Sequence, residues 1–516
     1  MIAKIACGAL HGIDAFRVDL EVDLSRAGLP AFTLVGLAEG AVKESRDRVL
    51  AALRNANLRI PPSRITVNLA PADRKKGGSS YDLPLAVGLL VASGQLPEDA
   101  ANGFFFAGEL SLTGEVKPVN GILPVAILAR DQGAKAFLTP VENAPEAAVV
   151  EGLTVYGVQS LGQAAAFLAG QETLEAARPA RQSNALDGKN AQLPDFADVK
   201  GQEYAKRAVE IAAAGGHNLL FLGPPGSGKT MLARRFPTVL PPLCFEEALE
   251  VTKIYSVAGM LEGGLGIMSE RPFRSPHHTI SEYGLIGGGT IPRPGEISLA
   301  HRGVLFLDEL LEFRKQTLEV LRQPLESGQV TIARAAQSLT YPADFMLVAA
   351  MNPCPCGYLT DPRKACVCKE HDIQRYRARL SGPLLDRIDL HVEVPAVPYV
   401  DLSSRAPGKS SLTMRQNVEA ARAIQAKRYA GSAFRCNADI SGKALAEYCA
   451  LAPQEEAFLG EAVKNLHLSA RAYSRILRIA RTIADLEAAP GITVVHLAEA
   501  VNCRALDRPA FGQQNG

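Results

Sequence analysis

The stretch that most constrains this chain is an apolar tetrad, Leu219-Leu220-Phe221-Leu222. It runs directly into Gly223-Pro224-Pro225-Gly226-Ser227-Gly228-Lys229-Thr230 and then into the helix-compatible Met231-Leu232-Ala233-Arg234-Arg235. A strand, a glycine-rich loop and a helix in that order are the context that G-x-x-x-x-G-K-[ST] requires of a phosphate-binding loop. Gly223, Gly226 and Gly228 let backbone N–H groups turn toward an anion with no Cβ in the way, and the helix start behind them adds partial positive charge. Lys229 can then reach the β- and γ-phosphates of ATP, and the Thr230 hydroxyl can join the shell of Mg²⁺. A glycine- and proline-rich turn without a ligand is the bland alternative, and the strand–loop–helix context argues against it.

Hydrolysis needs a metal-holding acid and a positioned water beside such a loop. The apolar run 303–307 ends in Asp308-Glu309. Asp308 can hold Mg²⁺ directly or through water, and Glu309 can polarise the attacking water; an ordinary acidic pair at a strand end is the competing reading. Asn352 follows the strand-like run 347–351, where it can sit between the acids and the γ-phosphate or simply form a turn before Pro353. Arg387, in Leu384-Leu385-Asp386-Arg387-Ile388-Asp389, precedes a strand-like run at 391–394. It suits a transition state that spreads charge over γ-oxygens, in trans from a neighbouring subunit, or else a surface ion pair with Asp386 or Asp389.

Nine cysteines are present, and four of them form C-x-C-x₉-C-x-C: Cys354, Cys356, Cys366 and Cys368. Four thiolates make a closed tetrahedral site for structural Zn²⁺, with reduced free thiols as the alternative. The N-terminus has no continuous apolar run before Asp14, and the longest uncharged stretch, 83–97, is shorter than a spanning helix and carries Pro84 and Gly88. A cytoplasmic protein with no membrane partner and reduced cysteines is expected. With 55 basic and 54 acidic side chains the net charge of +1 excludes no partner class, so only local basic clusters speak to nucleic acid. Arg363, Lys364, Lys369, Arg375, Arg377 and Arg379 surround the cysteines, and Arg471, Arg475, Arg478 and Arg481 follow one helix. Either cluster could be a solvated face or a nucleic-acid surface.

At 516 residues the chain should hold two to four domains. Residues 1–168 read as an α/β domain, with strands near 16–22, 32–35 and 65–69 and helices near 41–54 and 83–96. Residues 169–193 read as a linker by composition, and 194–400 as the motor core, with a helix at 315–326, paired strands at 330–334 and 338–341, and a cysteine insertion at 354–368. Residues 410–516 read as helical, with runs at 413–430, 441–450, 454–465, 470–487 and 495–506.

These residues, together with GIDAFRVDLEVDLSRAGLPAFTLVGL, AVKESRDRVLAAL, PPSRITVNLAPADRKKGGSSYDLPLAVGLL, FRSPHHTIS, MNPCPCG and QRYRARLSGPLLDRIDLHVEVP, resemble the magnesium-chelatase-related AAA+ ATPases. Over nearly the full length the chain resembles the bacterial ComM/YifB subfamily. The resemblance implies an α/β fold class: a Lon-protease-like N-terminal domain, an AAA+ P-loop core and a C-terminal helical lid. It implies that Lys229 and Thr230 bind phosphate and Mg²⁺, that Asp308 and Glu309 are the acidic pair, and that Asn352 is the polar sensor. By the same resemblance Arg387 is the arginine finger and Arg471 a lid arginine reaching the nucleotide. The pair at 329–341 resembles a pore hairpin, which makes Arg334 and Gln337 candidate DNA contacts in a nucleotide-dependent homohexamer.

Gly77-Gly78-Ser79 falls where Lon-type domains keep a nucleophilic serine, but Leu123 stands where the partner lysine is expected, with Lys117 nearby. A non-proteolytic platform that binds DNA or aids assembly is expected, as for the similar domain of RadA-type ATPases. The resemblance thus implies an ATP-dependent hexameric DNA motor, acting on single-stranded and branched DNA and promoting branch migration during homologous recombination in natural transformation. A chelatase-like ATPase that remodels a partner protein is the alternative, and a protease using Ser79 is a third reading.

Overall fold

The computed structural model describes residues 2–26, 29–37, 40–179, 194–261, 266–289, 292–334, 337–399, 401, 408–504 and 506, the side chains of Ala41, Arg334 and Gln337 excepted. Of the expected linker the part from 180 on, and of the expected lid the part from 507 on, lie outside these residues. By its internal contacts the chain forms two compact units, one of residues 1–185, 244–269 and 333–341, the other of 186–243, 270–332 and 342–516.

The first unit is built on β1 (Ile2–His11), β2 (Asp14–Ser25), β3 (Ala31–Val35), β4 (Arg64–Ala70), β5 (Phe104–Phe106), β8 (Ala136–Pro140) and β9 (Thr154–Val158), with a two-residue pair β6 (Glu109–Leu110) and β7 (Val116–Lys117) beside them. The sheet order is β3-β4-β2-β1-β5-β8-β9. β1 and β2 pair antiparallel from Ile2↔Asp23 to His11↔Asp14, a long strand that the alanine- and glycine-containing N-terminus does not announce. Helix Asp82–Ala92 is apolar on all sides and buried throughout. A Cβ on its Gly88 would stand 2.7 Å from Val22, so glycine here lets the helix lie close on the sheet. The helix stops before the expected residue 96 because Gly94 takes a left-handed φ of 79°, a common helix terminator.

Helix Phe245–Ala258 comes from the middle of the chain yet belongs to this unit. Its Ser256 hydroxyl donates to the Glu146 carboxylate, its Ser256 carbonyl accepts Gly121 N–H at 3.0 Å, and Lys253 pairs with Asp14 at 2.5 Å. Glu146 also accepts Leu123 N–H at 2.9 Å. Burial pushes the Glu146 pKa up, and these hydrogen bonds oppose that shift.

The second unit carries a five-stranded parallel sheet of β10 (Leu219–Leu222), β11 (Phe273–Arg274), β14 (Val304–Leu307), β17 (Met346–Met351) and β18 (Leu390–Glu393), in the order β11-β14-β17-β10-β18. Every residue of β10 and β14 is buried, as expected of parallel strands covered on both faces. A smaller pair joins β12 (Gly287–Gly288) to β13 (Arg293–Pro294), and another joins β15 (Gln329–Arg334) to β16 (Gln337–Pro342), of which 333–341 belong to the first unit. Helices Ser411–Arg428, Lys443–Tyr448, Pro453–Asn465, Ala470–Leu486 and Val494–Asn502 follow. Ile476 and Ile483 from them share one core with Phe221, Val348 and Val392 of the sheet.

The single helix expected at 315–326 is instead two short ones, Lys315–Glu319 and Pro324–Ser327. Pro324 has no N–H to donate and its ring would clash with the preceding turn, so the second helix starts at the proline. The sheet register places the site. Leu222 pairs with Met351 and Leu307 with Ala349, so the C-terminal ends of β10, β17 and β14 lie side by side. Ligands in open α/β sheets bind outside such carboxyl ends.

Candidate active site

Three strand ends deliver the phosphate loop, the acidic pair and Asn352 to one place. Gly223 accepts no larger residue, because a Cβ would stand 2.1 Å from the Val394 carbonyl oxygen. Lys229 folds over the loop, with Nζ donating to the carbonyls of Gly223 at 2.7 Å and Pro224 at 2.8 Å and to Asn352 Oδ1 at 3.3 Å. Thr230 Oγ1 donates to Asp308 Oδ2 at 2.6 Å. Two hard oxygen donors therefore converge where the loop enters its helix, a donor set that suits Mg²⁺.

Glu309 is a non-glycine residue in the left-handed region, φ 50° and ψ 49°, a conformation that costs about 1–2 kcal/mol. Such strain clusters at working sites. Its carboxylate lies 3.5 Å from His278 Nδ1. FRSPHHTIS stands out in the sequence without a role, and the structure supplies a geometric one: β11 parallel to β14 brings the segment after Phe273-Arg274 beside the acidic pair.

Sequence reasoning missed Gln202. Its amide donates to Ser227 O at 3.2 Å and Pro395 O at 2.6 Å, tying the phosphate loop to the exit of β18. Gln202, Tyr204, Glu393, Pro395, Val397 and Asn502 line a cavity of about 590 Å³ at that place, a volume typical of small-ligand pockets. No short motif marks it, since its walls come from both ends of the unit.

The four cysteine sulfurs all lie within 4.8 Å of one another, with S···S distances of 3.4, 3.6 and 3.6 Å among Cys354, Cys356 and Cys366. A tetrahedral Zn²⁺ with bonds of about 2.3 Å spaces its sulfurs by about 3.8 Å, so the set fits that ion, and no pair is at disulfide distance. Burial works against it, yet backbone N–H groups of Tyr358 and Val367 bring the Cys356 thiol down to about 6, toward the thiolate a metal needs.

The chain matches three family models: "Magnesium chelatase, subunit ChlI" over 195–402, "Subunit ChlI of Mg-chelatase" over 20–143 and "Magnesium chelatase, subunit ChlI C-terminal" over 408–504. It is 46% identical to "Competence protein ComM" of Haemophilus influenzae over 510 residues, 98% of each chain. It is 45% identical to the YifB protein of Escherichia coli K12 over 501 residues, 97% of this chain and 96% of that one. The chain belongs to the ComM/YifB family of magnesium-chelatase-related AAA+ ATPases. A more distant match, 31% identical over 165 residues, is to the magnesium-chelatase 67 kDa subunit of Chlorobaculum tepidum, covering 31% of this chain and 23% of that subunit.

In this ComM/YifB ATPase the two arginines expected at the nucleotide form a second cluster. Arg387 is bonded to Glu326 and, at 2.7 Å, to the Pro383 carbonyl, and Arg471 donates to Asp386 at 2.9 Å. The pairing of Arg387 with Asp386 or Asp389 does not occur. Asp389 instead takes Arg475 at 3.1 Å and His217 at 3.5 Å. Burial alone would raise that carboxyl, but the hydrogen bond with His217 and the charge of Arg475 hold it well below the usual carboxylate range. Arg475 is largely buried and Arg481 pairs with Asp485 at 3.0 Å, so both are internal struts rather than a basic surface. Arg334 and Gln337 belong to β15 and β16, and their side chains lie outside the described residues.

Ser79 donates to Glu109, Lys117 pairs with Glu115 at 2.6 Å, and Leu123 is fully buried in an apolar cluster. The buried Lys76 donates its ammonium to the backbone carbonyls of Gly36 and Pro71. Among the described residues no helix is long and apolar enough to cross a membrane.

Burial lowers the Lys229 pKa to about 8, against the pull of Asp308 and Glu309. Phosphate binding uses the ammonium, so above pH 8 the free protein must take up a proton in order to bind. Affinity for ADP is therefore expected to fall as pH rises from 8 to 9, approaching tenfold per unit. Calorimetry at pH 9 in two buffers of different ionisation enthalpy should register the uptake. Equal affinity at pH 7.5 and 9 would mean that Lys229 keeps its proton.

Proposed function

We propose that the chain is an ATP-driven, ring-forming DNA motor that promotes branch migration of recombination intermediates during uptake of transforming DNA. The observation that carries the ATPase half is the convergence of Lys229, Thr230, Asp308 and Asn352 at neighbouring strand ends. Lys229 and the loop N–H groups would hold the phosphates, Thr230 and Asp308 the Mg²⁺ ion, and the Gln202 cavity the base and ribose. Bound Mg²⁺ would neutralise charge developing on the phosphates. Glu309 would accept the proton of the attacking water, and Asn352 would fix that water or the γ-phosphate.

The DNA half rests on kinship. The Haemophilus relative carries the name of a competence protein and matches this chain from end to end. The ring is inferred from Arg387, whose natural target is a neighbour's γ-phosphate, and the pore from β15 and β16, with Arg334 and Gln337 as the contacts. Cys354, Cys356, Cys366 and Cys368 would hold a structural Zn²⁺. The engaged Ser79 and the apolar Leu123 favour a platform role for a Lon-like N-terminal domain over proteolysis.

A second reading, remodelling of a partner protein, draws on the chelatase subunit match. Steady-state ATPase rates with and without single-stranded and branched DNA separate the two. Stimulation by branched DNA that is absent from Lys229→Ala protein is expected, and a rate indifferent to DNA favours the second reading.

A further inference from the structure

The cysteine loop is built against the nucleotide loop. Cys354 follows Asn352 by two residues, and Gly357 closes the first turn by donating its N–H to Cys354 O at 3.0 Å. Gly357 has a left-handed φ of 84°, and a Cβ there would stand 2.6 Å from Pro225 Cδ, on the rim of the phosphate loop, and 3.8 Å from Asn352 Cγ.

Helix Glu370–Arg377 begins two residues after Cys368 and returns to the same place. Its Arg377 donates Nε at 3.2 Å and Nη2 at 3.1 Å to the carbonyl of Pro353, the residue between Asn352 and Cys354. Just beyond it, Arg379 donates to Leu311 O at 2.8 Å, two residues past Glu309. The helix buries none of its own residues. An apolar core therefore does not hold this excursion in place; these arginine–carbonyl bonds and the four cysteines close it.

We propose that the Cys354–Cys368 module is a brace for the γ-phosphate end of the ATP site. The metal bound by the four cysteines sets the positions of Asn352 and Pro225, and hydrolysis depends on its presence. This rests on the reading of the four cysteines as a Zn²⁺ site. The brace meets the site at Pro225, Asn352, Pro353 and Leu311, and none of these lines the Gln202 cavity. Loss of the metal is therefore expected to spare ADP binding and to blunt hydrolysis and the preference for a triphosphate.

The test uses full-length protein, metal analysis, fluorescent ADP, a non-hydrolysable ATP analogue and kcat. Cys366→Ser/Cys368→Ser should lose the metal, bind ADP within about twofold of wild type, lose its preference for the analogue and fall about 10- to 100-fold in kcat, the scale of a small misplacement at a reacting centre. Gly357→Val keeps all four thiols and pushes on Pro225. It should retain one Zn²⁺ per chain and show the same split between ADP and analogue. Wild-type kcat in zinc-loaded Gly357→Val, or an equal loss of ADP and analogue binding, would overturn the brace. Wild-type protein purified without chelator yet free of zinc would overturn the metal reading, and the Gly357→Val result would then decide on its own whether the loop contact positions the site.

Discussion

Arg387→Ala should lower kcat for ATP about a thousandfold while leaving nucleotide affinity within a few fold, the behaviour of a residue that acts only in the transition state. Arg387 faces its own chain's Glu326, so under the proposed function its γ-phosphate would be that of a neighbour. The segment that carries it is gripped on both sides. Asp386 is held by Arg471 and Asp389 by Arg475, arginines one turn apart on helix Ala470–Leu486. Movement of that helix on nucleotide binding would be felt directly at Arg387. Mixing inactive Arg387→Ala with inactive Lys229→Ala protein should restore activity, because mixed interfaces pair an intact loop with an intact arginine. A mixture no more active than either variant alone, or Arg387→Ala alone near wild-type rate, would reduce Arg387 to an intrachain partner of Glu326.

The second large effect is at Glu309. Glu309→Gln should bind ATP with near-normal affinity and hydrolyse it about a hundredfold more slowly or worse, the usual contribution of a positioned base. The left-handed backbone holds Glu309 in place, and glutamine can adopt it as well as glutamate, so unfolding temperature should not change. The protein would then be trapped with ATP bound. A rate within threefold of wild type would make Glu309 an ordinary strand-end acid.

What was legible in the sequence was local. The phosphate loop, Asp308-Glu309, Asn352 and the cysteine spacing are short patterns whose chemistry demands those residues in that order, and most helices and strands follow from periodicity. What was not legible depends on strands and segments distant in sequence. The order β14-β17-β10-β18 puts Thr230 against Asp308 and Lys229 against Asn352. Spacing alone does not specify that β17 lies between β10 and β14. The Gln202 cavity, the approach of His278 to Glu309 and the contact of Gly357 with Pro225 are of this kind. So is the inclusion of 244–269 and 333–341 in the first unit, which hangs on contacts such as Ser256 with Glu146. The broken helix at 320–323 is the reverse case, a local signal at Pro324 that an apolar periodicity masked.

The central claim, a motor that spends ATP on DNA, is tested most directly by strand displacement on a synthetic branched junction with labelled strands. Wild-type protein with ATP and Mg²⁺ should release the migrated product, and neither Lys229→Ala protein nor wild type with a non-hydrolysable analogue should do so. An ATPase-active preparation that leaves every junction strand in place would contradict the claim.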